Sequence, residues 1–128
     1  MAGSTVEITE QSFRSTVDRD GVVLIDWWAP WCGPCRMFGP IFEQVAARHP
    51  DLTFGKVNTE VEQNLAAAFE IRSIPTLMVL RDRVLLLSQP GALSAQGLEE
   101  LIAEVRALDM EKIKAEIEAR QKAASSGT

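Results

Sequence analysis

The run Val22-Val23-Leu24-Ile25-Asp26-Trp27-Trp28 constrains the fold more than any other stretch of the chain. Its β-branched and aromatic residues, apolar at every position but Asp26, read as a buried strand. After Ala29-Pro30 comes Trp31-Cys32-Gly33-Pro34-Cys35, which holds both cysteines. From Cys35 to His49 the apolar residues Met37, Ile41, Phe42, Val45 and Ala46 recur at helical spacing. A strand therefore runs into a CxxC that opens a helix. The first N–H groups of a helix lack intrahelical partners, and the helix dipole favours negative charge beside them. A thiolate placed there is stabilised, and the thiolate is the form of cysteine that attacks a disulfide. The arrangement suits thiol–disulfide chemistry.

Two other uses of the pair fit the spacing. A structural bridge is one, although so short a loop restrains the unfolded chain little, contributing roughly 2 kcal/mol. A zinc site is the other. A structural zinc usually takes four protein ligands; the chain offers two cysteines and a single histidine, His49, so another chain would have to complete it.

With 128 residues the chain suits one domain around a single core. Hydrophobic residues at 46% and charged residues at 24% are ordinary for a soluble protein. The net charge of −5 argues against nucleic acid or an anionic membrane as a partner. No transmembrane run occurs, and Met1 to Glu7 lacks the basic start and apolar core of a signal peptide. Two cysteines are too few for a disulfide scaffold, so a cytoplasmic setting is expected, where a CxxC is more often catalytic than structural.

Thr5 to Ile8 alternates like an edge strand. Thr9 is placed to cap a helix from Glu10 to about Asp18 with Phe13 and Val17 on one face. Arg19-Asp20-Gly21 is a turn before the central strand. Pro40 removes a backbone donor from the following helix and is expected to kink it, and His49-Pro50-Asp51 ends it. Leu52 to Asn58 reads as a third strand, and Glu60 to Phe69 as a helix carrying Val61, Leu65, Ala68 and Phe69. Thr76 to Leu80 and Val84 to Leu87 are strands joined through Arg81-Asp82-Arg83, and Ser94 caps a helix through Leu98, Leu101, Ile102, Val105 and Leu108. The βαβ middle and the hairpin ending indicate a mixed sheet with helices on both faces.

The Trp31–Cys35 motif resembles the active site of thioredoxins, and four companions stand in order with it. Asp26 lies six residues before Cys32, as the buried acid does in that family; Lys56 lies in the next strand-like run; Ile74-Pro75-Thr76 resembles the cis-proline loop; Gly91-Ala92 resembles the segment bordering the active site. The likeness covers roughly residues 5 to 108. CxxC alone is a weak signal, whereas CxxC with these companions is a specific one.

The resemblance implies an α/β thioredoxin fold and a protein-disulfide reductase. By position Cys32, ahead of the helix, is the exposed attacking sulfur, and Cys35, within the first turn, is shielded and resolves the mixed disulfide. Gly33 and Pro34 offer no polar or cationic side chain to stabilise the thiolate further, which implies a reductant. Taken alone, Asp26 reads more simply as a hydrogen-bonded acceptor than as an acid kept neutral by desolvation; the resemblance makes it the proton acceptor for Cys35, accompanied by Lys56. It likewise implies a cis bond at Pro75, with Ile74 presenting its backbone to a client segment that pairs as an added strand. Trp31 is expected as an exposed contact surface beside Ile74, Pro75, Gly91 and Ala92. Trp28 is expected beneath the loop and Trp27 in the core, and His49 on the surface without a role. No bound cofactor or metal is implied. Electrons come from NADPH through a thioredoxin reductase, the other partners are disulfide-containing client proteins, and a monomer is expected.

Some residues depart from the common pattern. Pro30 precedes Trp31 and Arg36 follows Cys35, neither of which alters the chemistry. Pro90 replaces a hydrogen-bonding residue and bears on docking at Gly91. Arg81-Asp82-Arg83 lacks the Asn-Gly of many relatives. Asn58-Thr59-Glu60 and Ile71 to Thr76 are similar to a bacterial subgroup that often carries an upstream zinc ribbon; with none in this chain, nothing specific to that subgroup is carried over. Residues 1–108 are expected to form the domain. Residues 109–128 are expected as a polar helical extension ending in a disordered tail, with Met110, Ile113 and Ile117 as a thin apolar stripe. Two rivals stand beside the reductase: a binding or scaffold module using the same fold, and a thiol oxidase or isomerase.

Overall fold

The computed structural model describes residues 4–126. Ten elements follow in order: β1 (Val6–Glu7), α1 (Phe13–Val17), β2 (Val22–Trp28), α2 (Gly33–Arg48), β3 (Thr53–Asn58), α3 (Gln63–Ala68), β4 (Thr76–Arg81), β5 (Val84–Pro90), α4 (Ala95–Ala107) and α5 (Met110–Ser126). The five strands form one sheet in the order β1-β3-β2-β4-β5. β1 and β2 pair parallel with β3, whereas β4 pairs antiparallel with β2 and β5. The central position of β2 explains its composition: a strand with neighbours on both sides and helices on both faces has no solvent-facing row.

Alternation along β2 divides its side chains between two cores. Val22 and Leu24 pack with Phe38, Phe42, Leu98 and Ile102, that is, with α2 and α4. Val23, Ile25 and Trp27 pack with Ile8, Met78 and Ala66, and with Phe13 and Phe69 beside them, on the α1 and α3 side. Asp26 shares the parity of Val22 and Leu24, and Lys56 that of Phe54, so both belong to the α2 side of the sheet.

Two helices are shorter than their sequence pattern suggests. Helical geometry in α1 begins at Phe13 instead of Glu10. Thr9 and Ser12 occupy each other's backbone donors: Thr9 N–H donates to Ser12 Oγ (2.9 Å) and Ser12 N–H to Thr9 Oγ1 (3.2 Å). That local exchange holds residues 10–12 in a turn. Similarly, Asn58 Oδ1 accepts from Glu60 N–H (3.0 Å) and its carbonyl from the N–H groups of Val61 and Glu62, so α3 starts only at Gln63. Val61, assigned by pattern to the apolar face, is 67% exposed. α2 runs through Pro40 without interruption. Asp82 and Arg83 both have positive φ, 50° and 71°, which gives the β4–β5 hairpin the type I′ hand without a glycine. Asp82 Oδ1 accepts from Gly21 N–H (2.8 Å), and Arg83 pairs with Asp18 and Asp20.

The end of α4 is closed by Arg81, whose Nη1 donates to the carbonyls of Val105 (2.8 Å), Arg106 (3.2 Å) and Leu108 (3.1 Å). Carbonyls at a helix terminus lack intrahelical partners; here Arg81 supplies one, while Val105 also accepts from the Leu108 N–H (3.3 Å). Asp109 then caps α5 by accepting from Lys112 N–H (3.1 Å). Met110 is buried, Ile113 and Ile117 are half-buried, and Lys114 Nζ lies 3.9 Å from Asp82 Oδ2. α5 is therefore tied down at its first turns, and regular helix continues through Ser126. Gly127 and Thr128 of the expected tail lie outside the described residues.

Candidate active site

β2 ends at Trp28, and the loop Ala29-Pro30-Trp31 delivers Cys32 to the N-cap of α2. Gly33 and Pro34 fill the first helical turn, where a proline's missing N–H costs nothing. Cys32 and Cys35 are joined as a disulfide with Cα atoms 5.2 Å apart. Cys32 Sγ accepts from the Cys35 backbone N–H at 3.2 Å, as an N-cap side chain does. This is one of the helix's unpaired donors aimed at the sulfur that a nucleophile would use.

The expected difference in exposure between the two cysteines does not hold in this oxidised form. Cys32 is 5% exposed and Cys35 4%. Ala29, Trp28 and Ile74 pack around both, which shields the bridge from either side. What differs is the neighbourhood of each sulfur. Cys32 Sγ faces the Ile74 carbonyl oxygen at 3.7 Å; a disulfide sulfur has no proton to donate, so this is a close approach. Cys35 instead lines a cleft of about 430 Å³ together with Trp28, Gly39, Glu43 and Lys56.

The Ile74–Pro75 peptide bond is cis. Pro75 is buried, and its carbonyl accepts from Gly91 N–H at 2.8 Å, which brings the Gly91-Ala92 segment beside the cysteines' neighbour Ile74. Gly91 has φ +105°, a conformation that suits only glycine well. Pro90 closes the edge strand β5 opposite Thr76, where a missing donor is tolerated. Gly91 and Ala92 are exposed, and Trp31 is 64% exposed, so these form an open rim above the buried bridge.

Asp26 is fully buried, and neither carboxyl oxygen has a hydrogen-bond partner among the described residues. No protein group among them satisfies the carboxyl as an acceptor, which leaves desolvation as the main influence on it. Burial raises its pKa from 3.8 to about 7; Lys56 pulls the value down and Glu43 pushes it up, both by less. Lys56 is the residue paired with Asp26 in the parallel β2–β3 register. Its ammonium sits 4.9 Å from the centre of the Trp28 ring and 4.0 Å from Glu43 Oε2.

The structure thus brings Cys32, Cys35, Gly33, Pro34, Ile74 and Pro75 into one cluster, with Trp31, Gly91 and Ala92 at its rim and Asp26 and Lys56 behind it. Glu43 was not among the expected residues. Its signal was the spacing Cys35-Gly39-Glu43, one face of α2 at four-residue steps. His49 is no unpartnered surface residue either: Nε2 lies 2.6 Å from Glu99 Oε1 and Nδ1 3.1 Å from Arg106 Nη2, with the ring stacked on Phe54. It stands at the opposite end of α2 from the cysteines, about 24 Å along a helix of this length, and so outside any shared metal site with them. No group of three or more His, Cys, Asp or Glu side chains is placed to hold a metal among the described residues.

A disulfide at a helix N-terminus, set in a mixed sheet beside a cis-proline loop, defines a dithiol–disulfide oxidoreductase. Residues 4–104 match the family model for thioredoxin. A Streptomyces coelicolor protein named "Putative thioredoxin 2" is 50% identical over 92% of this chain and 88% of its own length. The thioredoxin of Bacillus subtilis is 40% identical over 76% of this chain and 93% of its own. Among solved structures, a thioredoxin from Malassezia sympodialis superposes with a TM-score of 0.70 at 30% identity, covering 78% of this chain and 89% of the other. The chain belongs to the thioredoxin family.

Proposed function

We propose that the protein reduces the disulfides of client proteins in the cytoplasm, as a monomer recharged by a thioredoxin reductase with electrons from NADPH. The observation that carries this reading is the redox pair on α2, with a backbone N–H directed at Cys32 Sγ and only Gly33-Pro34 between the sulfurs. No described helix is long and apolar enough to cross a membrane.

In the working cycle the Cys32 thiolate attacks a client disulfide. One client sulfur leaves as a thiolate and takes a proton, and Cys32 holds the other as a mixed disulfide. Asp26, as carboxylate, then accepts the Cys35 thiol proton. The Cys35 thiolate forms the bond to Cys32, and the second client sulfur departs. The client has gained two electrons and the pair has lost two. Trp31, Ile74, Pro75, Gly91 and Ala92 form the client surface. The Ile74 carbonyl beside Cys32 favours a client strand docked on that side. Lys56 accompanies Asp26 by moderating its affinity for the proton.

Insulin reduction followed by turbidity, with NADPH and a bacterial thioredoxin reductase, tests the reading. NADPH should be consumed in step with precipitation, and light scattering should give the mass of one chain. Precipitation with dithiothreitol but no NADPH consumption with the reductase would remove the recharging partner. No reduction under either condition would leave a binding module.

Residues 1–108 are, in this reading, the redox unit and residues 109–128 an appendage. Truncation after Leu108 should leave the insulin-reducing rate unchanged. Loss of buried Met110 should lower stability by about 2–3 kcal/mol, seen as an earlier urea midpoint. A fall in rate at a temperature where the truncated chain is folded would place α5 within the working structure.

A further inference from the structure

The cleft beside Cys35 holds a charged pair, Glu43 with Lys56, of which the cysteine chemistry uses only the lysine. Cys35 and Trp28 form one part of its lining, and Gly39, Glu43 and Lys56 another. The ammonium lies against α2 at Gly39, where a Cβ would stand 3.7 Å from Lys56 Nζ, an ordinary contact. Lys56 Nζ comes within 4.0 Å of Glu43 Oε2 while its residue is the register partner of Asp26. The ammonium meets Glu43, about one-third exposed, and acts on Asp26 only through space, the latter being fully buried with no hydrogen-bond partner among the described residues. Glu43 is itself held in place. Thr5 Oγ1, from the segment before β1, lies 2.9 Å from both of its carboxyl oxygens.

The remaining surroundings of Asp26 carry no competing charge. β4 places Leu77 opposite it in register. On α2, Arg36 stands at the rim of the cleft, exposed, with Nε donating to the Pro30 carbonyl (3.3 Å). The ionic setting of Asp26 therefore comes from Lys56 and Glu43.

We propose that Glu43 is a positioning residue for the resolving step: it holds the Lys56 ammonium at the cleft, away from full pairing with Asp26, so that the buried carboxyl can take the Cys35 proton and release it to water along the Glu43–Lys56 wall. The proposal rests on Asp26 acting as the acceptor. Without Glu43, Lys56 turns to Asp26 alone and stabilises it as a carboxylate. A carboxylate so stabilised is a weaker base, because a nearby opposite charge favours the ionised form. The cleft supplies the route, since it connects Cys35 and Lys56 with solvent, whereas Asp26 itself has no exposed surface.

The test is the titration of the Asp26 carboxyl carbon by NMR in the oxidised protein, together with the pH profile of mixed-disulfide resolution in single turnover. Glu43→Gln keeps the bulk and an acceptor for Thr5 but removes the charge. It should move the Asp26 midpoint down by about one pH unit and the resolution profile in the same direction, slowing resolution near neutral pH. Lys56→Met should move the midpoint up, and Glu43→Asp should recover most of the wild-type value. Adding Glu43→Gln to Asp26→Asn should change the profile no further. An Asp26 midpoint unmoved in Glu43→Gln but raised in Lys56→Met overturns the role of Glu43 and leaves Asp26 as acceptor. A resolution rate unaffected by Asp26→Asn overturns the acceptor reading itself, and with it the role of Glu43 in resolution.

Discussion

Cys35→Ser is expected to accumulate stable mixed disulfides with client proteins through Cys32, whereas Cys32→Ser accumulates none, and neither variant reduces insulin. The expectation does not rest on exposure, since the two sulfurs are equally buried when bridged. It rests on what each faces. Cys32 is the N-cap, its sulfur receives a helix-terminal N–H, and it lies against the Ile74 carbonyl where a client backbone would pair. Negative charge at a helix start gains about 0.3–1 kcal/mol when exposed and up to about 2 kcal/mol when partly buried, which favours Cys32 as the thiolate that attacks. Cys35 is already inside the first turn and looks into the cleft shared with Trp28 and Lys56. Removing its sulfur leaves the first covalent step intact and deletes the second, so the intermediate persists. Non-reducing gels of each variant incubated with oxidised client, followed by peptide mapping of the linked cysteine, make the measurement. Equal trapping by both variants would show that a client reaches Cys35 through the cleft as easily as it reaches Cys32 from the rim.

Asp26→Ala should be more stable than the wild type above neutral pH and slower to resolve mixed disulfides. The folded-state pKa is raised to about 7 from 3.8, so folding binds a proton between those two values. Asp26 therefore contributes its full stability below pH 3.8. The contribution declines as pH rises towards 7 and is gone above it. A shift of this size corresponds to roughly 4 kcal/mol. The deleted carboxyl leaves a small void costing about 1–2 kcal/mol, which leaves the variant ahead by about 2–3 kcal/mol at pH 8. Below pH 4 the order should reverse, because the wild type then carries a neutral acid and the variant only the void. Urea unfolding of the oxidised proteins at pH 4, 6 and 8 gives the sign at each point. A variant less stable than the wild type at pH 8, with undiminished resolution, would mean that Asp26 is ionised in the fold at little cost and takes no proton from Cys35.

Much of the site is legible before any coordinates because its chemistry depends on short range in sequence. Trp31 to Cys35 carries its own helix start, and the strand before it, apolar at six of its seven positions from Val22 to Trp28, has no choice but the middle of a sheet. The resemblance then singles out Asp26, Lys56, Pro75 and Gly91; in the fold Lys56 is the register partner of Asp26 and shares a cleft with Cys35, and Gly91 donates to the carbonyl of Pro75, whose neighbour Ile74 faces Cys32. Where local patterns were read without tertiary context, the errors have local causes. Thr9 and Ser12 satisfy each other before α1 can begin, and Asn58 holds residues 60–62 in a turn that leaves Val61 in solvent. Met110 belongs to the thin apolar stripe of the C-terminal extension, yet it is buried, at the point where Arg81 holds the Val105 and Leu108 carbonyls and Lys114 reaches Asp82.

By itself the sequence determined the order of strands and helices, the two-faced burial of Val22 to Trp28, and the redox pair at a helix start. Those follow from periodicity, capping and the spacing of two sulfurs, all of them properties of neighbours along the chain. Only the tertiary structure decided that both sulfurs are shielded, that no side chain or backbone group among the described residues hydrogen-bonds Asp26, and that Lys56, its register partner, lies 4.0 Å from Glu43. Burial and charge sharing depend on what three separate segments bring to one place. Glu43 on α2, Lys56 on β3 and Thr5 before β1 meet only after the sheet has set β3 between β1 and β2 and laid α2 across it.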